Sequence, residues 1–402
     1  MKLGIIREGK IPVDKRVALT PEQCVKVSEK FPSVEIFIQK SPLRCYKDSE
    51  YAALGFDVVE DVSDCDILMG IKEVPISDLL AKKTYLFFSH TIKKQAYNRD
   101  LLISILNNKV KLIDYETLTN TKKERVIAFG RYAGLVGAYN GIRVWGLRNN
   151  AFDLKPAHKC FDLEEMKSEF ANVKLANIKI VLTGSGRVAN GGMEVLDGMG
   201  IKKVSPNDLV AKDFDYPVYA QLDMSDYNKR KDGKKFKMQD FFDHPEEYES
   251  TFERYTKTAD VLIAGAYWDP KAPVLFTRED AKKDSFKIKV IADITCDIDG
   301  SIPSTRKPSS IDNPFYDYHV ETEQVVPPFT SEKNISVMAV DNLPNELPRD
   351  ASNAFGNMLI EHVLPELFEE VNTGMIDRAN IAAEGKLTEH YQYLSDYVSG
   401  KE

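Results

Sequence analysis

The segment IKIVLTGSGRVANGG, residues 178–192, decides the fold of the middle of this chain. Its first five residues, 178–182, are mostly apolar and predict a short buried strand. A G-x-G-x-x-A turn follows at 184–189, and the residues from Met193 onward can form a helix. Strand, glycine turn and helix are the parts of a dinucleotide-binding βαβ unit. The segment therefore predicts a nucleotide-binding loop, with a tight turn that binds nothing as the alternative.

Each small residue of the turn has a physical role in such a loop. The first glycine, Gly184, makes the tight turn, and the second, Gly186, lets the backbone approach a pyrophosphate. The small side chain of Ala189 lets the helix pack close to the strand. The helix N-terminus offers N–H groups and the positive end of its dipole to the phosphates. We therefore expect a dinucleotide cofactor to bind here.

The composition is that of an ordinary globular chain. Its 402 residues suffice for two or three domains, and its net charge of −8 argues against bulk attraction to nucleic acid. No apolar run reaches a membrane-span length of roughly 18 residues, and the N-terminus lacks a signal-peptide pattern. The five cysteines are scattered, with no C-x-x-C pair, which argues against disulfides and a bound metal. We expect a cytoplasmic protein with a small-molecule substrate and neither nucleic-acid nor membrane partners; its oligomeric state stays open.

Short apolar strands alternate with helical segments on both sides of the glycine turn, which predicts an α/β fold with largely parallel sheets. Small residues recur through 129–147 and predict a closely packed helix, and a long amphipathic helix is expected from about Pro348 to Glu369. Two stretches are expected to be loops. They are the charged insertion 223–257, interpreted as solvated rather than as a nucleic-acid patch, and the segment 302–328, rich in proline and serine.

Three ionisable residues follow three strand-like runs in the N-terminal part. Lys72, His90 and Glu116 each come just after such a run. In parallel sheets, ligands bind beyond the carboxyl ends of the strands. Each residue alone has an ordinary alternative, namely a solvated lysine, a structural histidine and a capping glutamate. Because all three stand at corresponding places, we expect them to form one site.

The sequence leaves the choice between NAD and NADP open. The second strand of the nucleotide unit is expected at 202–204, and an acidic residue that binds the ribose of NAD should follow it. That place reads Val204-Ser205-Pro206-Asn207, and Asp208 comes slightly late. A further strand, 260–264, ends in Gly265-Ala266-Tyr267-Trp268, which suits a second wall of a cofactor pocket.

Long segments of the chain resemble a known family, the lysine-forming saccharopine dehydrogenases, within the alanine dehydrogenase and transhydrogenase group. The chain is also similar to the lysine–ketoglutarate reductase part of aminoadipic semialdehyde synthase. The segments that carry the resemblance are KTYLFFSHTIKKQ (83–95), VKLIDYETL (110–118), RVIAFGRYAG (125–134), VLTGSGRVANGG (181–192), LIAGAYWDPKAP (262–273) and DNLPNELPRDASNAFGNML (341–359).

The resemblance implies two Rossmann-like domains. A substrate domain would comprise residues 1–135 and 340–402, and an NAD(P)-binding domain, 136–339, would be inserted into it. The implied reaction is reversible: saccharopine, water and NAD(P)⁺ give lysine, 2-oxoglutarate and NAD(P)H. The cofactor would be NAD or NADP.

The resemblance also implies the proton-transfer groups. Lys72 matches the catalytic lysine of the family and His90 its catalytic histidine. Glu73 and Glu116 match acidic neighbours that tune these two bases. A lysine whose pKa is lowered by burial and cationic neighbours can take a proton from the substrate nitrogen, and histidine suits proton transfer to and from water near neutral pH.

Binding residues follow in the same way. On the substrate side, Arg16, Arg125 and Phe129 match family positions, and the two arginines suit bidentate contact with carboxylates. The cofactor-side residues are Gly184, Gly186, Arg187, Val188, Ser205, Ala266, Tyr267, Trp268 and Asp341.

Two other functions stay open. An alanine dehydrogenase, or another amino-acid or imine dehydrogenase, would share Arg16, Lys72, His90 and the glycine loop. A non-catalytic nucleotide sensor would keep the fold but would not need an acid–base pair at the strand ends.

Overall fold

The strands that this computed structural model describes, over residues 1–368 and 371–401, form two eight-stranded sheets and one two-stranded ribbon. The chain divides into two units. Unit 1 contains the described residues of Met1–Phe129 and Pro348–Glu402, and unit 2 is Gly130–Leu347. The predicted fold class is confirmed: two Rossmann-like α/β domains, the second inserted into the first. Sequence analysis placed the two boundaries at 135/136 and 339/340.

The N-terminal part of unit 1 alternates strands and helices, and its six strands are parallel. Its elements are β1 (Lys2–Ile5), α1 (Pro21–Lys30), β2 (Glu35–Gln39), α2 (Asp48–Ala52), β3 (Asp57–Val59), β4 (Ile67–Met69), β5 (Thr84–Phe87), α3 (Arg99–Asn107) and β6 (Lys111–Asp114).

Unit 2 begins with a long helix and contains the second sheet and the ribbon. Its elements are α4 (Gly130–Arg148), α5 (Leu163–Ser168), β7 (Lys179–Thr183), α6 (Arg187–Gly198), β8 (Lys202–Lys203), α7 (Pro206–Ala211), β9 (Val218–Leu222), α8 (Met224–Tyr227), β10 (Asn228–Arg230), α9 (Met238–Asp243), β11 (Tyr248–Ser250), α10 (Glu253–Thr256), β12 (Val261–Ala264), α11 (Arg278–Lys282), β13 (Val290–Asp293), β14 (Phe315–His319), β15 (Gln324–Val326) and β16 (Ile335–Met338).

The chain then returns to unit 1 and completes its sheet. The returning elements are α12 (Pro348–Met358), a π-helical turn (Leu359–Val363), α13 (Leu364–Phe368), α14 (Met375–Ala379), β17 (Asn380–Ala383), β18 (Lys386–Leu387) and α15 (Ser395–Ser399). The sheet of unit 1 has the order β18-β17-β6-β5-β4-β1-β2-β3, in which β17 and β18 are antiparallel additions. The predicted helical end at Glu369 lies outside the described residues.

The start of α1 is defined by local chemistry. The hydroxyl of Thr20 accepts the N–H of Gln23 at 3.3 Å, and the Gln23 side chain accepts the N–H of Thr20 at 3.0 Å. This capping box satisfies two N–H groups of the first turn, and Pro21 occupies the position where a missing N–H costs nothing. The cap holds the segment that precedes α1, and Arg16 belongs to that segment.

Glycines of α4 and α6 allow these two helices to cross closely. A Cβ atom on Gly134 would lie 1.9 Å from the carbonyl oxygen of Val188, and one on Gly191 would lie 2.1 Å from that of Arg131. Both distances are shorter than any van der Waals contact, so only glycine fits at these places. The predicted closely packed helix at 129–147 is thus confirmed as α4, which crosses the helix that follows the glycine loop.

The sheet of unit 2 has the order β15-β14-β16-β13-β12-β7-β9-β8. The strand after the glycine loop in sequence, β8, is therefore not the neighbour of β7. The longer β9 takes that place, in parallel register from Lys179↔Val218 to Thr183↔Leu222. The expectation that the ribose acid follows 202–204 assumed the wrong neighbour, because β8 lies at the edge of the sheet.

The two predicted loops are folded. The insertion 223–257 contains α8, the ribbon β10–β11, α9 and α10, and its apolar side chains include the buried Phe241 and Tyr248. Segment 302–328 supplies β14 and β15, which extend the sheet antiparallel beyond β16. Charged and proline-rich surroundings hid these elements, because each buries only a few apolar residues.

Candidate active site

In unit 1, the ends of neighbouring parallel strands bring the predicted ionisable residues to one edge of the sheet. Lys72 follows β4, His90 follows β5 and Glu116 follows β6, and these strands are consecutive in the sheet. The structure also brings Glu8, which follows the next strand, β1, to the same edge. This arrangement places acids and bases where parallel α/β sheets bind their ligands.

His90 belongs to a chain of three charged or titratable groups. Its Nδ1 atom lies 2.7 Å from Oε1 of Glu73, and Oε2 of Glu73 accepts a hydrogen bond from Lys10 Nζ, also at 2.7 Å. Because Nδ1 faces Glu73, the Nε2 atom on the far side of the ring is the one that can exchange protons. The ring is nearly parallel to that of Phe88, with 6.2 Å between centroids.

Glu73 is ionised in this arrangement. Burial works to raise the pKa of its carboxyl, but the hydrogen bond and charge of His90 and the ammonium of Lys10 outweigh burial and lower the pKa to about 2. A carboxylate held in this way fixes the ring orientation of His90.

Lys72 is half-buried, and its pKa is lowered. Burial is the largest cause, followed by the positive charges of Arg16 and Lys10, while Glu73 and Asp14 act in the opposite direction. The result favours the neutral amine, which is the form that can accept a proton.

Arg16 is buried and held on two sides. Its Nε and Nη2 atoms donate to the two oxygens of Asp14 at 3.0 and 2.6 Å. Its guanidinium carbon lies 4.1 Å from the ring centroid of Phe129, which in turn stacks on Phe355 at 4.7 Å. The predicted substrate-binding arginine thus has a fixed plane, and Asp14 occupies one edge of it.

Glu116 lies at the opposite end of this row of residues. Its Oε1 atom is 3.5 Å from Lys93 Nζ and 4.0 Å from Arg125 Nη1, and the Arg125 side chain is 41% exposed. Its Oε2 atom is buried and has no hydrogen-bond partner within the described residues. A buried carboxylate oxygen without a partner is costly in a folded protein, which is typical of functional positions.

Sequence reasoning missed four ionisable residues of this edge. Glu8 accepts the backbone N–H groups of Ile71 at 2.6 Å and Lys72 at 2.8 Å. Burial, and next the charge of Asp14, raise the pKa of Glu8 to about 8. The strand-end rule that identified Lys72 would also have found Glu8. The other three missed residues are Lys10, Asp14 and Asp114.

Asp114 lies beneath Glu116 at the end of β6. Its carboxylate accepts hydrogen bonds from the hydroxyl and N–H of Ser89 and from the N–H of Glu116, the last at 2.7 Å. Burial raises the pKa of Asp114. The group ties the end of β5, which leads to His90, to the end of β6.

The glycine loop of unit 2 has the geometry of a phosphate-binding loop. Gly184 has a φ of +102°, and a Cβ there would lie 3.1 Å from the carbonyl oxygen of Gly265. Gly186 caps α6, and a Cβ there would meet no described atom within 4 Å. Packing therefore does not require glycine at 186, and the N-terminus of α6 is open to the close approach of a ligand there. The residues present fit a dinucleotide.

Other predicted cofactor residues lie near this loop. A Cβ on Gly265 would come within 2.9 Å of Val188 Cγ1, so the end of β12 packs directly on the loop. Ala266, Tyr267 and Trp268 line a cavity of about 220 Å³ in unit 2. Arg187 is exposed at the first position of α6.

Two predicted cofactor residues lie elsewhere in unit 2. Ser205 caps α7, its hydroxyl accepting the N–H of Asp208 at 3.0 Å, and Asp208 pairs with Lys212 at 2.8 Å. Asp341 is exposed and follows the last parallel strand, β16. Nothing in these contacts links Ser205 to the glycine loop.

Two negative findings apply to residues 1–368 and 371–401. None of their helices combines the length and apolar character needed to cross a bilayer. Their His, Cys, Asp and Glu side chains form no group of three or more that could hold a metal ion.

The two units define a fold class, a pair of Rossmann-like α/β domains. Two family models match the chain. The alanine dehydrogenase/PNT N-terminal domain matches residues 4–136, and the alanine dehydrogenase/PNT C-terminal domain matches residues 170–391. The chain therefore belongs to the alanine dehydrogenase/PNT family.

Individual relatives are of two kinds. The chain is 30% identical to alpha-aminoadipic semialdehyde synthase of Arabidopsis thaliana, over 98% of this chain but 41% of that protein. It is 26% identical to saccharopine dehydrogenase [NAD(+), L-lysine-forming] of Yarrowia lipolytica, over 90% of this chain and 92% of that protein. The chain thus spans less than half the length of the first relative.

Among solved structures, an L-alanine dehydrogenase superposes over the full length of both chains with a TM-score of 0.66 at 15% identity. At that identity the likeness concerns the fold alone. It agrees with the two-domain architecture of the chain.

Proposed function

We propose that this chain is a saccharopine dehydrogenase of the L-lysine-forming type. The reaction converts saccharopine, water and NAD(P)⁺ reversibly into lysine, 2-oxoglutarate, NAD(P)H and a proton. The observation that carries the proposal is that two proton-transfer groups stand at neighbouring strand ends. They are Lys72 after β4 and, after β5, His90 with its hydrogen-bonded partner Glu73, to which Lys10 donates. An oxidation at a C–N bond followed by hydrolysis needs two proton-transfer groups, and this edge supplies both. The family and both kinds of relatives support it.

The cofactor of this proposal is a nicotinamide nucleotide, which when bound takes up the hydride from the carbon next to the substrate nitrogen. Residues Gly184, Gly186, Arg187 and Val188 would hold its pyrophosphate at the N-terminus of α6.

Lys72 acts on the secondary amine of saccharopine. A C–H bond beside nitrogen loses hydride readily only when the nitrogen lone pair is available, so the ammonium must first lose its proton. Lys72, whose pKa is lowered by burial and by Arg16, accepts that proton. The negative charges of Glu73 and Asp14 favour the ammonium form and so offset part of this lowering of the pKa.

His90 acts in the hydrolysis of the imine. It removes a proton from water as the water adds to carbon, and it delivers a proton to the lysine nitrogen of the carbinolamine. As the C–N bond breaks and the carbonyl forms, it takes up the proton of the carbinol hydroxyl. Glu73 holds Nδ1 and stabilises the imidazolium between these transfers. Lys10 keeps Glu73 from taking the proton itself, since its ammonium favours the carboxylate.

The substrate carries three carboxylates, and the net charge of the chain, −8, repels anions. Arg16 and Arg125 bind carboxylates in this proposal, at the two ends of the edge. Phe129 holds the guanidinium plane of Arg16. Glu116 limits the positive charge near Arg125 and Lys93 and tunes the bases.

The test is turnover by the purified chain. Lysine, 2-oxoglutarate and NADH or NADPH are mixed and oxidation of the reduced cofactor is followed; pyruvate with ammonia runs in parallel. Lysine-dependent oxidation is the expected result. Oxidation with pyruvate and ammonia alone would assign the chain to alanine dehydrogenation, and tight nucleotide binding without turnover of either pair would contradict the proposal.

Matched variants connect that activity to the edge. Lys72→Met removes the amine at similar length, and Lys26→Met makes the same change on an exposed position of α1. Only the first should abolish lysine-dependent oxidation. Equal activity of the two variants would contradict the role of Lys72.

A further inference from the structure

A carboxylate stands beside the glycine loop at a place that the sequence order concealed. Strand β9 pairs with β7 up to Thr183↔Leu222, and the N–H of Gly184 donates to the carbonyl of Leu222 at 2.9 Å. Asp223 is the next residue, and it is exposed. An acid directly after the strand beside the glycine strand hydrogen-bonds the ribose hydroxyls of NAD, and it repels the 2′-phosphate of NADP.

The residues after Asp223 build a cavity. Met224, Tyr227 and Phe242 of the insertion line one side of the 220 Å³ cavity, and Ala266 and Trp268 after β12 line the other. The cavity therefore lies between the ends of β9 and β12, which flank β7 on either side. An aromatic and aliphatic lining suits a flat base.

The insertion is braced around this cavity. The guanidinium of Arg230 pairs with Asp232 at 2.9 Å and also with Asp240 and Glu247. Tyr248 contacts Phe241 ring to ring at 5.0 Å and donates a hydrogen bond to Asp240 at 2.5 Å. The wall is thus folded by its own contacts.

Lys203 also lies near the glycine strand, and a cation there could favour the 2′-phosphate of NADP. Lys203 ends β8, but its register partner is Tyr219, four residues before Asp223 along β9. Its Nζ atom donates to Gln221 Oε1 at 2.8 Å, and the amide of Gln221 donates to the carbonyl of Gly184 at 3.1 Å. Lys203 therefore stands lower on the sheet, engaged by Gln221, while Asp223 stands level with the glycine loop.

We propose that Asp223 and the cavity behind it form the adenosine end of the nucleotide site, so that the chain binds NAD(H) in preference to NADP(H). The carboxylate takes the ribose hydroxyls, and the cavity lined by Met224, Phe242 and Trp268 takes the adenine. The inference rests on the proposed function only in that the cofactor is a nicotinamide nucleotide.

The first test is binding without any amino acid. Dissociation constants of NADH and NADPH are measured by calorimetry for the full chain, and 5′-AMP is compared with 2′,5′-ADP by thermal shift. We expect NADH and 5′-AMP to bind more tightly, by about 10- to 100-fold. Equal binding, preference for the 2′-phosphorylated ligands, or no binding of either nucleotide would overturn the proposal.

Variants assign that preference to Asp223. Asp223→Asn should weaken NADH binding and bring the two dissociation constants within a few-fold of each other. Asp208→Asn, which removes the acid that follows β8, should change neither, because Asp208 pairs with Lys212. An unchanged ratio in the Asp223 variant, or a selective loss of NADPH binding in Lys203→Ala, would overturn the proposal.

The cavity is tested with a shortened ligand. Phe242→Ala changes a side chain that is 52% exposed, so the fold should persist, with circular dichroism as the check. Binding of 5′-AMP should weaken, whereas reduced nicotinamide mononucleotide, which lacks adenosine, should bind as before. Equal effects on both ligands would contradict an adenine cavity. These binding tests contain no amino acid. A chain that binds NADH as expected but does not turn over lysine and 2-oxoglutarate would therefore contradict the proposed function and leave this inference standing.

Discussion

The glycine loop of unit 2 and the acid–base edge of unit 1 are built in opposite ways. The loop is local: β7, Gly184, Gly186 and α6 follow one another within twenty residues, 179–198. The acid–base edge collects residues that are far apart in sequence, from Lys10 to Glu116, because four neighbouring strands end there. A local site depends on backbone conformation, whereas a collected site depends on the order of the strands.

The largest effect is expected from a substitution that disrupts the packing of α4 against α6, behind the glycine loop. Gly191→Val would place side-chain atoms against the carbonyl of Arg131, only 2.1 Å from a Cβ. We expect unit 2 to lose about 3 kcal/mol or more of folding free energy, measured by denaturant unfolding. Gly55→Ala is a control in unit 1, since its Cβ would meet no atom within 4 Å, although its φ of +89° carries a smaller cost. Similar stability of both variants would contradict the close crossing.

The next prediction concerns the acid–base edge, where a substitution should lower activity and leave the fold intact. Lys72→Met should lower the rate of the chemical step by roughly 10²- to 10⁴-fold, because the amine that accepts the substrate proton is gone. Single-turnover kinetics with saturating cofactor measure that step. A change confined to KM would instead make Lys72 a binding residue.

Gly186→Ala should change nucleotide affinity at the loop with little change in stability. A Cβ there meets no described atom, so thermal stability should stay within about 1 °C of the parent for a change of a few tenths of a kcal/mol. Nucleotide affinity should fall by about tenfold, because the backbone approach to the pyrophosphate is blocked. Unchanged affinity would show that the loop does not contact the phosphates.

Glu73→Gln tests the charge chain at the edge through the pH dependence of stability. The pKa of Glu73 is lowered to about 2 in the fold. A lowered pKa contributes stability above the ordinary value near 4.5, and that stability is lost as pH falls from 4.5 toward 2. The variant should therefore show a shallower loss of stability in that range, measured by urea unfolding. An identical profile would mean that Glu73 is not held as a carboxylate.

Glu8→Gln tests the same edge, and its expected effect has the opposite sign. The pKa of Glu8 is raised to about 8 by burial and Asp14. The folded state then keeps a proton that the unfolded state releases, so this group lowers stability as pH rises from 4.5 to 8. The variant should flatten that decline in urea unfolding. An unchanged decline would show that the pKa of Glu8 is not raised in the fold.

The sequence identified more of the loop than of the edge, and for a physical reason. The strand, turn and helix of 178–192 are each encoded by adjacent residues, so β7 and α6 were predicted. At the edge, strand-end position indicated Lys72, His90 and Glu116, but the contact of Glu73 with Lys10 spans 63 residues and had no local signal. The roles of individual residues in the loop and at the edge stay predictions, which the variants above test.

The ribose acid shows the limit most clearly. Counting from Gly184 led to 204–207, because consecutive strands are usually neighbours in space. Here β8 consists of two residues and lies at the edge of the sheet, and β9 takes the central place beside β7. In our proposal the acid is Asp223, which follows β9 and not β8.

By itself, the sequence determined the fold class, the glycine turn, the helix α4 and the row of ionisable strand ends. These depend on hydrophobic periodicity, glycine spacing and short-range order, which neighbouring residues encode. Only the tertiary structure decided which strand adjoins β7, which carboxylates contact His90 and Arg16, and how the charged insertion lines one side of a cavity. Those outcomes depend on contacts between residues distant in sequence, whose pairing is settled when the sheets form.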